Sequence, residues 1–246
     1  MSVSTPAVTP PVLGLAAASF AYGEFPVIEN VSFSVARGEF LAIVGPSGCG
    51  KSTLLSLLSG EISPASGSVE RSGATRTVFQ SDGLFPWKTV EENIALGLGS
   101  ASDDAARTQV QEMVTLIGLD NFGDHYPHQL SGGMRQRAEL ARALIGETTA
   151  LLLDEPFSAL DYLIRLKMRR ELARLIAERP RAVVLVTHDI EEAAQLADRI
   201  LVLTERPARV RCEIDVRDQG ARPRDPTDPL VVATVRRILE ELGQSG

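Results

Sequence analysis

Residues 39–58 read Glu-Phe-Leu-Ala-Ile-Val-Gly-Pro-Ser-Gly-Cys-Gly-Lys-Ser-Thr-Leu-Leu-Ser-Leu-Leu. From Glu39 to Gly45 the run is short, almost wholly apolar and stopped by glycine, the pattern of a strand buried on both faces. Leu54, Leu55, Leu57 and Leu58 then fall on one side of a helix that begins near Ser52. Between strand and helix the chain fits G-x-x-x-x-G-K-[ST]. The glycines let the backbone curl until successive N–H groups point inward, and the helix start adds its positive dipole end. Such a loop cradles the phosphates of a nucleoside triphosphate, here read as ATP. Its candidate contacts are Gly45, Pro46, Ser47, Gly48, Cys49, Gly50, Lys51, Ser52 and Thr53. Lys51 is placed to reach the β- and γ-phosphates, and Ser52 to offer its hydroxyl to Mg²⁺. Cys49 reads as a small filler whose N–H faces the ligand. At average residue frequencies the pattern arises by chance in about 1% of chains this long, before the flanking strand and helix are counted.

Further apolar runs at Ala150–Leu153, Ala182–Thr187 and Arg199–Leu203 read as more buried strands, and Gly133–Ile145 places Met134, Ala138, Ala141, Leu144 and Ile145 on one helical face. That alternation predicts an α/β fold: a P-loop NTPase core with a mainly parallel sheet. The stretch from about 89 to 145 reads as an α-helical subdomain. Residues 216–229 are rich in Pro, Asp and Arg and read as a linker to a last helix over 230–242; residues 1–11 read as a disordered lead-in, leaving 12–215 as the main domain. At 246 residues the chain is long enough for a sizeable core without staples, and two cysteines imply no disulfide framework. The net charge of −7 argues against a nucleic-acid partner. With no apolar run of bilayer length, any work at a membrane requires spans from another chain.

Other residues gain meaning beside the loop. Leu151-Leu-Leu-Asp154-Glu155 is an apolar strand tipped by two carboxylates: Asp154 for Mg²⁺, Glu155 for the attacking water. Ser131-Gly132-Gly133, with Gln136 one turn on, opens a helix with a second cluster of N–H groups. One γ-phosphate does not need two such sites in one chain, so this one serves a nucleotide held by a second chain. His188 follows a strand and can sense the γ-phosphate. Gln80 ends the run Thr77-Val-Phe-Gln and can reach Mg²⁺ or water, and Tyr22 can stack on adenine. Each taken alone also has a plain structural explanation: a solvated strand end, a glycine-rich cap, a surface histidine, a packing aromatic.

Taken in order, Tyr22, Gly45–Thr53, Gln80, Leu130-Ser-Gly-Gly-Met-Arg-Gln136, Leu151–Glu155, Ser158-Ala-Leu-Asp161 and His188 resemble the ATPase subunit of an ATP-binding cassette (ABC) transporter. The resemblance implies a small antiparallel β subdomain beside the parallel core. It implies that Gly45–Thr53 is the Walker A loop, Asp154 the Walker B aspartate and Glu155 the catalytic carboxylate. Gln80 becomes the Q-loop glutamine, Asp161 the D-loop aspartate and His188 the H-loop histidine. Ser131, Gly132, Gly133 and Gln136 belong to the signature motif, which contacts ATP held by the other protomer of a head-to-tail homodimer.

The segment Leu84-Phe-Pro-Trp87 through Gly97-Leu, with Asp154-Glu-Pro-Phe157 and Thr187–Ala193, is similar to importers of nitrate, sulfonates and taurine. That likeness implies a transmembrane permease partner, an indirect solute-binding protein, and a peripheral place on the cytoplasmic face of the inner membrane. Phe85, Pro86 and Trp87 form an apolar loop suited to docking on the permease. The alternatives are an ABC subunit of a lipid, lipoprotein or division complex, and a non-transport ABC ATPase. Only Ser68–Phe79 separates Gly67 from Gln80, which implies a shortened antiparallel subdomain.

Overall fold

The computed structural model describes residues 11–79, 83–99 and 103–243. The lead-in before Pro11 and Gln80 therefore lie outside the described residues. Three five-residue strands, β3 (Phe40–Val44), β6 (Ala150–Asp154) and β7 (Ala182–Val186), are buried along their whole length, as their unbroken apolar sequences require. With β1 (Pro11–Tyr22), β2 (Phe25–Ala36), β4 (Ser66–Arg71), β5 (Thr75–Val78), β8 (Arg199–Leu203) and β9 (Val210–Asp215) they form two sheets. The larger has the order β5-β6-β7-β3-β8-β9, parallel except for the edge strand β9. The smaller is antiparallel, β2-β1-β4.

The short Ser68–Phe79 segment is divided between the sheets: β4 closes the antiparallel one, and β5 starts the edge of the parallel one. Gly67 sits at φ 81°, where a Cβ would come within 2.3 Å of the Ala17 carbonyl oxygen, so β4 approaches the β1 bulge more closely than a side chain permits.

Helix α1 (Lys51–Ser59) follows β3 and buries its leucines between the two sheets. On the other face, α2 (Val90–Ala95), α3 (Asp104–Leu116) and α4 (Gly132–Ile145) pack together as the helical subdomain, and α5 (Tyr162–Glu178) and α6 (Ile190–Leu196) cover the parallel sheet. The last helix among the described residues, α7 (Pro229–Glu241), packs on α6. The polar stretch before it is held down: Arg224, 5% exposed, donates to the carbonyls of Ala194, Ala197 and Val216. Arg199 joins three elements by donating to Ser34 O of β2 and to the carboxylates of Glu39 and Glu213. No helix among the described residues is long and apolar enough to cross a membrane.

Candidate functional site

The carboxyl ends of β3, β6 and β7 lie side by side, and the loops leaving them carry the residues singled out above. The phosphate loop turns through Gly48 at φ 71° and Gly50 at φ 121° before α1 begins. A Cβ on Gly50 would meet Val27 and Ile28 at 2.9 Å, so strand β2 presses directly on the helix start. Lys51 is buried, and its Nζ donates to the carbonyls of Gly45 (2.9 Å) and Pro46 (3.0 Å). Cys49 is a free, buried thiol packed against Gly45. Burial pushes its pKa up, with Lys51 opposing, which keeps the thiol protonated and unreactive.

The β6 strand end meets this loop. Asp154 is 6% exposed, with the Ser52 hydroxyl and Lys51 near enough to act on its charge. Burial raises its pKa; the Ser52 hydroxyl and Lys51 lower it, and Glu155 raises it again. A carboxylate and a hydroxyl, both hard oxygen donors, make a fitting corner for Mg²⁺, and a divalent cation offsets the cost of burying Asp154 beside Glu155. Among the described residues there is no cluster of three or more acidic, His or Cys ligands. Gln80, the third metal candidate, lies outside the described residues.

Glu155 holds a positive φ of 49°, rare for a residue with a side chain. Four bonds fix that backbone: its N–H donates to Val186 O (2.9 Å), and its carbonyl accepts from Gln136 Nε2 and Ser158 Oγ (both 3.0 Å) and from Ser158 N–H (3.2 Å). The carboxylate meets His188 Nδ1 at 3.0 Å. His188 is two-thirds exposed, so the pair opens to the surface. Gln136 also accepts from Ala159 N–H (3.0 Å), tying α4 to the loop that follows Glu155. Ser131 caps α4 by accepting from Met134 N–H, and Ser131 and Gly132 are exposed. Asp161 caps α5 in the same way, accepting from Ile164 N–H, with Tyr162 and Leu163 exposed beside it. Tyr22 stands at the tip of the β1–β2 hairpin, more than half exposed, in edge contact with Phe20. The structure thus joins Glu155 to His188 and Glu155 to Gln136, and sets Asp154 within electrostatic reach of Ser52. It leaves Ser131, Gly132 and Tyr22 on the surface.

Several supporting residues carry no sequence signal. Arg206, between β8 and β9, donates to Gly48 O (2.8 Å) and so braces the phosphate loop from outside. Asn93 is fully buried and pins the Phe85–Thr89 loop. Its Oδ1 accepts from Phe85 N–H, and its Nδ2 donates to the carbonyls of Phe85, Lys88 and Thr89. Held this way, Trp87 is 68% exposed and packs on Phe85 at 5.3 Å.

Glu192 is buried behind His188 and accepts from the Thr187 hydroxyl. Burial, opposed by that bond and by Arg169, raises its pKa from 4.5 to about 7. Since the folded value lies above the unfolded one, the contribution is present in full below pH 4.5 and gone above about pH 7. The difference amounts to roughly 3 kcal/mol. Asp189, Arg165 and Arg169 face the same spot, and Asp189 shifts downward because the Glu192 N–H and Arg169 outweigh its burial. Glu192→Gln is expected to flatten the fall in thermal midpoint between pH 4.5 and 7. Identical pH profiles for the two proteins would reject a protonated Glu192.

A family model described as ABC transporter matches residues 28–158. The chain is 38% identical over 244 residues to the aliphatic sulfonates import ATP-binding protein SsuB 2 of Burkholderia cenocepacia (strain HI2424), covering 96% of this chain and 89% of that protein. It is 43% identical over 198 residues to the nitrate import ATP-binding protein NrtC of Synechococcus elongatus (strain ATCC 33912 / PCC 7942 / FACHB-805), covering 76% of this chain but 30% of that longer one. Among solved structures it is similar to a dimeric, post-hydrolysis ATP-binding cassette bound to ADP and Pi. The TM-score is 0.74 at 31% identity, over 82% of this chain and 98% of that one.

Proposed function

Because the chain belongs to the ABC transporter family, we propose that it is the ATP-hydrolysing subunit of an importer that takes up an aliphatic sulfonate or a similar small anion. It works as a head-to-tail homodimer on the cytoplasmic face of the inner membrane, bound to a separate permease. The observation that carries the reading is the end of β6, where Asp154 lies within electrostatic reach of Ser52 and Lys51 and the next residue, Glu155, meets His188 at 3.0 Å.

In the proposed site the loop N–H groups and Lys51 bind the phosphates, and Tyr22 faces the adenine. Ser52 and Asp154, with Gln80, would hold Mg²⁺, which supplies charge neutralisation for the β- and γ-phosphate oxygens. Glu155 orients the attacking water and takes its proton. His188, held by Glu155 at 3.0 Å, meets the γ-phosphate. Ser131, Gly132 and Gly133 of the second subunit close over the nucleotide, and Asp161 with the exposed Tyr162 and Leu163 extends the dimer face. Likeness to a sulfonate import protein over 96% of the chain supports the solute class. The test is reconstitution in proteoliposomes with a permease and a solute-binding protein. Sulfonate-loaded binding protein is expected to stimulate ATP hydrolysis several-fold. Stimulation by nitrate alone would reassign the solute, and no hydrolysis at all would reject the enzyme.

Docking falls to Phe85, Pro86 and Trp87, beside a cavity of about 280 Å³ lined by Phe85, Leu96, Gly97 and Arg142. Asn93 keeps the loop in place when the tryptophan is removed. Trp87→Ala is therefore expected to leave basal ATPase unchanged and weaken co-purification with the permease by roughly tenfold or more, a hot-spot loss. Full assembly of the variant would remove the loop from the interface.

A further inference from the structure

At the other end of the parallel sheet, about 16 Å from the phosphate loop for strands of five residues, lies a cavity of about 540 Å³. It is formed where β5, β6 and β7 begin, and its lining includes Arg37, Glu147, Thr149, Arg179 and Arg181. Three arginines thus line the cavity with one acidic residue. Arg181 is 2% exposed, and its hydrogen bonds go to the carbonyls of Leu144, Gly146 and Arg179, each at 3.4 Å, the long limit for such a bond. Arg37 donates to Pro180 O at 3.2 Å. Among the described residues, none of the three arginines is in an ion pair. This contrasts with Arg199, which holds two carboxylates.

A buried cation is ordinarily paired, since an isolated charge in a low-dielectric interior is expensive. Here burial is the largest influence on Arg181, Arg179 and Arg76 add like charge, and Glu147 alone acts the other way. The cavity has the volume of a small-molecule site, while its walls supply fork-shaped donors suited to oxyanions.

We propose that this cavity is a binding site for a small molecule carrying a dianionic oxyanion group, of which a phosphate monoester is the fitting class and inorganic phosphate the minimal ligand. Three arginines against Glu147 leave two positive charges for two negative ones. Arg181 meets the anion from the floor, while Arg37 and Arg179, both exposed, close on it from the rim. Because Arg181 also bonds the carbonyls that end α4, an occupant ties the base of the helical subdomain to the core.

The test is calorimetric titration of the full chain with inorganic phosphate and with glycerol phosphate. Wild type is compared with the double variant Arg37→Ala/Arg179→Ala and with Lys51→Ala. Both rim arginines are exposed, so the double variant keeps the fold, which its thermal midpoint checks. Binding weakened at least tenfold in the double variant and kept in Lys51→Ala is the expected result. Tighter binding of glycerol phosphate than of phosphate would assign an organic ligand; equal binding would assign the free ion. Binding lost in Lys51→Ala and kept in the double variant would place the ion in the phosphate loop and overturn the proposal, as would no binding at millimolar phosphate. ATPase activity is a separate readout, so failure here leaves the nucleotide site standing.

Discussion

Glu155→Gln is expected to reduce steady-state ATP hydrolysis by about 100-fold or more while ATP still binds, the loss that follows when a general base can no longer take a proton. Gln has the shape of Glu, so the backbone that fixes Glu155 at φ 49° is untouched. The bond its N–H donates to Val186 O and the one its carbonyl accepts from Gln136 use main-chain atoms of residue 155 and survive the change. The amide can also remain in hydrogen-bond contact with His188. What disappears is the negative charge and the basic oxygen, about 2.7 kcal/mol of transition-state stabilisation for a 100-fold loss. With binding intact and hydrolysis blocked, the nucleotide-loaded dimer is expected to persist. Size-exclusion chromatography with ATP measures that directly. A variant that turns over at the wild-type rate would remove Glu155 from the chemistry.

Lys51→Ala is expected to act earlier, on binding itself. Lys51 Nζ is held by the carbonyls of Gly45 and Pro46, within the loop that it would neutralise on the phosphates' arrival. Removing it takes away a charged donor worth roughly 1.5–3 kcal/mol to its partner, so nucleotide affinity should fall roughly 10- to 150-fold. Its two carbonyl partners can turn to water because the loop opens to the surface, so the thermal midpoint without nucleotide should change little. Fluorescent-nucleotide titration distinguishes this from the Glu155 effect: the first variant loses affinity, the second loses rate. Unchanged affinity in Lys51→Ala would count against the loop as the phosphate site.

The strands of the parallel sheet were legible because burial on both faces leaves an unbroken apolar run, as in Phe40–Val44 and Ala182–Val186. The antiparallel hairpin was not. Its register shifts at bulges near Ala17 and between Phe20 and Ala21, and each shift breaks the alternation that announces a half-buried strand. Helix α5 escaped for another reason: Arg, Lys and Glu dominate its exposed face, and only Met168, Leu172, Ala173 and Ile176 mark the buried stripe. At the site, the residue types of the loop and the two carboxylates spoke for themselves. Gln136 holding the Glu155 carbonyl, Arg206 holding Gly48 and Asn93 pinning Phe85 did not, because each is a contact between segments set by tertiary packing.

Gln136 lies on α4 five residues after Ser131, the residue proposed to touch the nucleotide of the other subunit, and it also grips the backbone of Glu155, proposed to act on its own. One side chain, through a hydrogen bond of 3.0 Å, therefore links the proposed contact with one ATP to the residue proposed to act on the other. By reciprocity each site must feel its twin to the same degree at the level of binding. In such a dimer the two nucleotides are not independent tenants but two readings of one equilibrium. The Hill coefficient for ATP should then depart from one, and weakening the Gln136 link should bring it back toward unity.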